Sequence, residues 1–413
     1  MLRRVRSGYE QGQYVFRQAI ETAIRSQAVR IRARLLEVSM RLDSQRRKIK
    51  SILAAADIHI NGGRPWDLQV YDKRLYGRIL AEGTLGVGES YMDGWWDCPA
   101  LDQLICRAIR AKLDNKLRPW RLIGDVLGAR LKNLQTPLRS FEVGRRHYDI
   151  GNDLFRAMLD KRMIYSCGYW AEADNLDDAQ VHKLDLIARK LMFEPGMRVL
   201  DTGCGWGGAA RYFAERFGVE VVGITVSEQQ LSLGRKACAK LPIELRLQDY
   251  RELNEPFDRI YSIGMFEHVG HKNYRTYMNV VRRCLRDDGL FLLHTIGSDL
   301  TESNADPWIT RYIFPNGYLP SANQITRAVE GVMTLEDWHS FGPDYERTLM
   351  SWYENFEAAW PELSKKYDER FHRAWRYYLL SSAGSFRSRD NQLWQIVWSN
   401  GIDGASYRPA GIR

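Results

Sequence analysis

One run of the chain constrains its fold more than any other: the strand-like VLDTGCGWGG at 199–208, which passes directly into a helical pattern. Apolar β-branched runs predict strands at Met197–Gly203, Val219–Thr225, Ile243–Gln248, Arg259–Gly264 and Leu290–Ile296. Helical patterns at 207–217, 228–240 and 273–286 separate them. Strict alternation with short loops implies a parallel sheet covered on both faces, a doubly wound α/β fold. Two later strand-like segments, Thr334–Phe341 and Leu393–Ser399, flank helical patterns at about 346–359 and 365–384.

Gly203, Gly205 and Gly208 satisfy GxGxxG, which by itself does not separate a dinucleotide from other nucleotide-like ligands. Two neighbouring features favour S-adenosylmethionine (AdoMet). Asp201 precedes the glycines, where a carboxylate receives an ammonium group and repels a pyrophosphate. The second strand ends in Gly223-Ile224-Thr225, without the carboxylate a dehydrogenase uses on ribose. Ser227-Glu228-Gln229-Gln230 reads as a capping box, so Gln230 serves either that cap or the ribose hydroxyls. Gln248-Asp249-Tyr250, ending the third strand, suits the adenine and its amino group.

With 413 residues the chain has room for two domains. Three segments are expected: a basic amphipathic helix over 1–50, a small lipid-associated domain with linker over 51–140, and an AdoMet-dependent catalytic domain over 141–413. Phe16, Ile20, Ile24, Ala28, Ile31, Leu35, Val38 and Leu42 keep one apolar stripe along a helix over 12–50, with arginines on the other face. That stripe suits packing on protein and binding to a membrane surface about equally. The stretch EGTLGVGESYMDGWWD (82–97) reads as too glycine-rich for a helix.

Charge narrows the partners. Residues 1–50 carry 13 basic and 4 acidic side chains, and residues 107–146 carry 11 and 3, in a protein of net charge +9. Two such segments imply an anionic surface, nucleic acid or acidic lipid. No recognised nucleic-acid-binding motif is present, which favours lipid. None of the six cysteines lies in a CxxC pair, so neither a zinc site nor a disulfide framework is suggested. With no secretory h-region and no apolar run of about 18 residues, a cytoplasmic protein is expected, bound peripherally to the inner face of the membrane.

Several strings carry a more specific signal. RRHYDIGNDLF (145–155), YSCGYW (165–170), VLDTGCGWGG, GMFEHVG (264–270), FLLHTIGS (291–298), YIFPNGYLPS (312–321) and WQIVWSNG (394–401) resemble those of cyclopropane-fatty-acyl-phospholipid synthases. YMDGWWDC (91–98) is similar to that family's N-terminal domain. The resemblance spans about Asp57 to Gly401 and implies a class I AdoMet-dependent methyltransferase (Rossmann-like) fold with a smaller N-terminal domain.

The resemblance further implies transfer of a methylene carbon from AdoMet to a cis double bond in an acyl chain of a membrane phospholipid. The alkene attacks the sulfonium methyl, a carbocation forms, bound bicarbonate removes a proton and the ring closes. Carried over by motif, AdoMet contacts fall on Tyr165, Ser166, Asp201, Gly203, Cys204, Gly205, Thr225, Gln230, Gln248 and Asp249. The bicarbonate pocket falls on Cys167, Glu267, His294, the Ile296 N–H and Tyr345. Bicarbonate carries an O–H that can donate to Glu267, while its charged oxygens accept from the other groups. Tyr169, Trp170, Phe266 and Tyr318 suit either cation stabilisation or plain packing. Ser382 stands where some family members carry a cysteine once regarded as a nucleophile, so an active enzyme here needs no such thiol. No metal is implied, and a homodimer is left open.

Three other functions fit parts of the sequence. An AdoMet C-methyltransferase leaving a methyl or methylene branch would share most of the pocket. An NAD(P) oxidoreductase is disfavoured by Asp201 and the missing ribose carboxylate. A non-catalytic surface-binding protein rests on the basic segments alone.

Overall fold

The computed structural model describes residues 39–113, 151–301 and 306–401, with isolated residues besides. Of the helix expected over 12–50, residues 39–50 are helical and the helix continues to 54; most of 12–38 lies outside the described residues, as does nearly all of 114–146.

Seven strands build the main sheet: β1 (Arg198–Asp201), β2 (Glu220–Thr225), β3 (Ile243–Leu247), β4 (Phe257–Ile263), β5 (Leu285–Ser298), β6 (Thr334–Ser340) and β7 (Asn391–Ser399). Their order is β3-β2-β1-β4-β5-β7-β6, with β1 to β5 parallel and β7 antiparallel to both its neighbours. The expected doubly wound sheet is therefore present, with the two late strands completing one edge. Alternation along each strand divides the core between two faces. Leu200, Val222, Ile260, Phe291, Leu293 and Ile396 pack on one side; Val199, Val221, Tyr261, Leu290, Leu292 and Val397 pack on the other. Both faces are buried, which is why these strands read as continuous apolar runs.

Helices Gly208–Phe217, Glu228–Cys238 and Tyr274–Cys284 fill the expected crossovers. Helix Pro343–Leu363 is longer than predicted, helix Glu369–Ser388 is as long as predicted but begins four residues later, and the two pack against one another. Asp368 caps the second by accepting the Phe371 N–H.

Upstream, helices Arg74–Glu82, Thr84–Met92 and Leu101–Arg110 surround a short ribbon of Gln69–Val70 with Trp96–Asp97. The helix Thr84–Met92 corrects the expectation for 82–97. Its glycines trade propensity for close packing: a Cβ at Gly88 would sit 2.4 Å from the Trp308 ring, and one at Gly86 2.7 Å from the Arg78 carbonyl. The loss of about 1 kcal/mol per helical glycine is offset by bringing the fully buried Trp308 onto the helix backbone.

One apolar cluster runs from Ile49, Leu75 and Trp96 through Trp308, Trp375 and Tyr378 to Cys167, Tyr345 and Leu393. Helix Leu101–Arg110 lies against Glu369–Ser388, where a Cβ at Gly384 would meet the Asp102 carbonyl at 2.5 Å. Arg387 pairs with Asp102, and Arg373 donates to the Tyr91 and Trp96 carbonyls at 2.6 and 2.8 Å. No helix among the described residues is long and apolar enough to cross a membrane.

Candidate active site

The parallel strands β1, β2 and β4 end along one edge of the sheet, and the glycine turn leaves β1 there. Gly205 and Gly207 adopt φ of +52° and +81°, a left-handed backbone that glycine enters without strain. Gly208, which opens the next helix, has a different constraint: a Cβ there would stand 2.1 Å from the Arg162 carbonyl. Asp201 is buried at the end of β1, and its Oδ1 accepts the Gly203 N–H at 3.1 Å. Burial pushes its pKa up to about 7. A carboxyl so placed gains most from a cation brought into the cleft.

Beside it, Lys183 on helix Leu176–Lys190 is fully buried and donates to Ser166 Oγ at 2.9 Å. Burial draws its pKa down to about 8, against the carboxylates of Asp160 and Asp201. The sequence analysis assigns no helix to 176–190 and so misses this lysine.

An open cleft follows the strand ends. All ten expected AdoMet contacts line it: Tyr165, Ser166, Asp201, Gly203, Cys204, Gly205, Thr225, Gln230, Gln248 and Asp249. The capping box is only half formed. Ser227 Oγ accepts the Gln230 N–H at 3.3 Å, while the Gln230 side chain turns away and accepts the Thr225 hydroxyl at 3.0 Å. Asp249 is held from both sides, accepting the Arg251 N–H and guanidinium, each at 3.0 Å. Trp206, Met265, His268, Pro315 and Asn316 also line the cleft and were not singled out, although each lies inside a quoted string.

The second group of expected residues lies deeper. Glu267 sits in the turn after β4, between Phe266 and the cleft-lining His268. Its Oε1 accepts the Ile296 N–H at 2.7 Å, so that donor, expected for a bound anion, already serves the carboxyl. Burial raises the Glu267 pKa to about 7, and its Oε2 is buried without a hydrogen-bond partner. His294 and Ile296 lie two residues apart on β5. Burial holds His294 neutral, well below its ordinary pKa, and its Nε2 also has no partner.

Cys167 is buried, donates to the Gly168 carbonyl at 3.1 Å, and has its thiol pKa raised by burial. Burial likewise raises the Tyr345 hydroxyl, with further contributions from Tyr378, Cys167 and Glu267, which places Cys167 and Glu267 within electrostatic reach of it. None of the four proposed aromatics lines the cleft. Phe266 stacks on Tyr274 at 4.2 Å, Trp170 donates to Thr348 at 2.9 Å, Tyr169 packs on Phe341, and Tyr318 accepts from Gln324.

Comparison with known proteins decides the family. A profile described as mycolic acid cyclopropane synthetase matches residues 135–396. The chain belongs to that family.

A cyclopropane-fatty-acyl-phospholipid synthase of Escherichia coli K12 is 53% identical over 368 residues, 89% of this chain and 96% of that protein. Among solved structures, the cyclopropane synthase MmaA2 of Mycobacterium tuberculosis superposes with a TM-score of 0.60 at 31% identity, covering 65% of this chain and 99% of that one. The mycolic acid cyclopropane synthase CmaA1, solved with SAH and CTAB, gives 0.58 at 33% identity, covering 62% and 97%. Coclaurine N-methyltransferase, at 22% identity and TM-score 0.64 over 76% of this chain and 99% of its own, shares the fold alone. The sheet described above is thus the class I AdoMet-dependent methyltransferase fold, and this member of the cyclopropane synthase family is an AdoMet-dependent enzyme.

Proposed function

We propose that this enzyme transfers a methylene carbon from AdoMet to the cis double bond of an unsaturated acyl chain in a membrane phospholipid, forming a cyclopropane. One observation carries the base chemistry: Glu267 Oε2 and His294 Nε2 are both buried polar atoms without partners, on adjoining elements at the end of the sheet. Buried polar atoms are ordinarily satisfied, so this pair fits a small ligand that both accepts and donates hydrogen bonds. Bicarbonate is such a ligand; Cys167, Glu267, His294 and Tyr345 would hold it, with the Ile296 N–H orienting Glu267.

When bound, AdoMet supplies an electrophilic methyl carbon and bicarbonate a weak base. The chain's own residues do the rest by placement. Asp201 and the glycine turn hold the amino-acid end of the cofactor, while Gln248 and Asp249 face its adenine and Gln230 its ribose. Glu267, oriented by the Ile296 N–H, would accept a hydrogen bond from the ligand's O–H, and neutral His294 would donate from Nε2.

The basic segments 1–50 and 107–146 would hold the enzyme on anionic lipid from the cytoplasmic side while an acyl chain enters the site. The test is incubation with AdoMet, bicarbonate and liposomes of cis-unsaturated phospholipid, then mass analysis of the acyl chains. Gain of one CH2 with loss of the alkene is expected. Gain with an alkene retained would overturn cyclopropanation in favour of a C-methyltransferase.

A further inference from the structure

Gln395 on β7 stands directly opposite His294 on β5 in the antiparallel ladder, and both side chains are buried. The amide Nε2 of Gln395 lies 3.3 Å from His294 Nδ1. An amide nitrogen only donates, so the ring nitrogen facing it accepts and carries no proton. With His294 neutral through burial and the amide turned nitrogen-first toward it, leaving Gln395 Oε1 buried without a partner, the ring's proton is assigned to Nε2. That is the nitrogen left without a partner among the described residues, as is Glu267 Oε2.

We propose that Gln395 is a positioning residue that fixes His294 as the Nε2–H tautomer, making the histidine a hydrogen-bond donor toward the anion site. Without this constraint the ring could present a lone pair, which would repel an anionic oxygen. The arrangement complements Glu267: one buried carboxyl accepts and one neutral imidazole donates, so the pocket distinguishes a ligand bearing both an O–H and a charged oxygen from a plain anion. Gln395 belongs to the WQIVWSNG string, but nothing in that string distinguishes it from a strand residue satisfied within the sheet.

The inference rests on the anion-site reading above for its consequence, though not for the tautomer itself. The first measurement needs no variant. The 15N shifts of histidine-labelled enzyme, with His294 assigned from the signals lost in His294→Gln, report which ring nitrogen is protonated. The expected result is protonated Nε2 and bare Nδ1 across neutral pH; protonated Nδ1 would overturn the proposal.

The second measurement uses Gln395→Met, which keeps the length and removes the donor. AdoMet affinity should be retained, the His294 signals should shift toward a mixture of tautomers, and kcat/KM for bicarbonate should fall roughly 10-fold. Unchanged His294 signals in that variant would also overturn the assignment. Protonated Nε2 in an enzyme whose turnover ignores bicarbonate would uphold the tautomer and sink the anion-site reading instead.

Discussion

Glu267 Oε1 accepts the Ile296 N–H at 2.7 Å, joining the turn after β4 to the neighbouring strand β5. The bond aims the other carboxyl oxygen and opposes the burial that raises the group's pKa. Glu267→Gln keeps an oxygen for Ile296 but replaces the acceptor opposite with an amide. AdoMet affinity should stay within about twofold, while turnover should fall on the order of 100-fold or more. Calorimetric titration with AdoMet and a product assay separate the two.

The same substitution should affect stability in the opposite direction. Burial lifts Glu267 from an ordinary 4.5 to about 7, so the fold favours the protonated form. Its contribution is fully present below pH 4.5 and is lost as pH rises through 7. Glu267→Gln should therefore raise Tm at pH 8 and leave it nearly unchanged at pH 4. Thermal melts at the two pH values check this.

Asp201 titrates in the same range for the same reason, and its role requires the carboxylate. AdoMet affinity of the wild-type enzyme should weaken as pH falls below about 7. Asp201→Asn should remove that pH dependence and cost roughly 10- to 100-fold in affinity, measured as Kd from pH 5.5 to 8.5.

Gly88→Ala places a methyl group against Trp308, 2.4 Å from its ring. The collision should cost about 1–3 kcal/mol, as overpacking of a filled core does. A lowered denaturation midpoint with native AdoMet affinity at low temperature is the expected pattern.

Binding to anionic liposomes should weaken steeply with salt, since each Lys or Arg near such a surface contributes about 1 kcal/mol. Removing residues 1–45 takes away most of the first basic segment. Co-sedimentation at low salt should show reduced binding by the shortened chain, and unchanged binding would remove that segment from the account.

The sheet was legible because its strands are buried on both faces, so Val199-Leu200 and Val221-Val222 declare themselves without partners. The cofactor cleft was legible because its residues cluster at strand ends beside glycines. Three features were not. The helix over Thr84–Met92 depends on Trp308, more than 200 positions away, which makes its glycines an asset. Lys183 earns its interest only from what surrounds it: Ser166, Asp160 and Asp201. Gln395 acquires meaning only through its register with His294.

The apolar cluster that joins Trp96 to Tyr345 has a consequence for how the molecule comes apart. Buried contacts of that extent couple the elements they bridge, so neither region loses its packing alone. Trp96 is fully enclosed, and the fluorescence difference between the native chain and Trp96→Phe should report release of the N-terminal helices. In urea that signal and catalytic activity should vanish over the same concentration range, in one cooperative step.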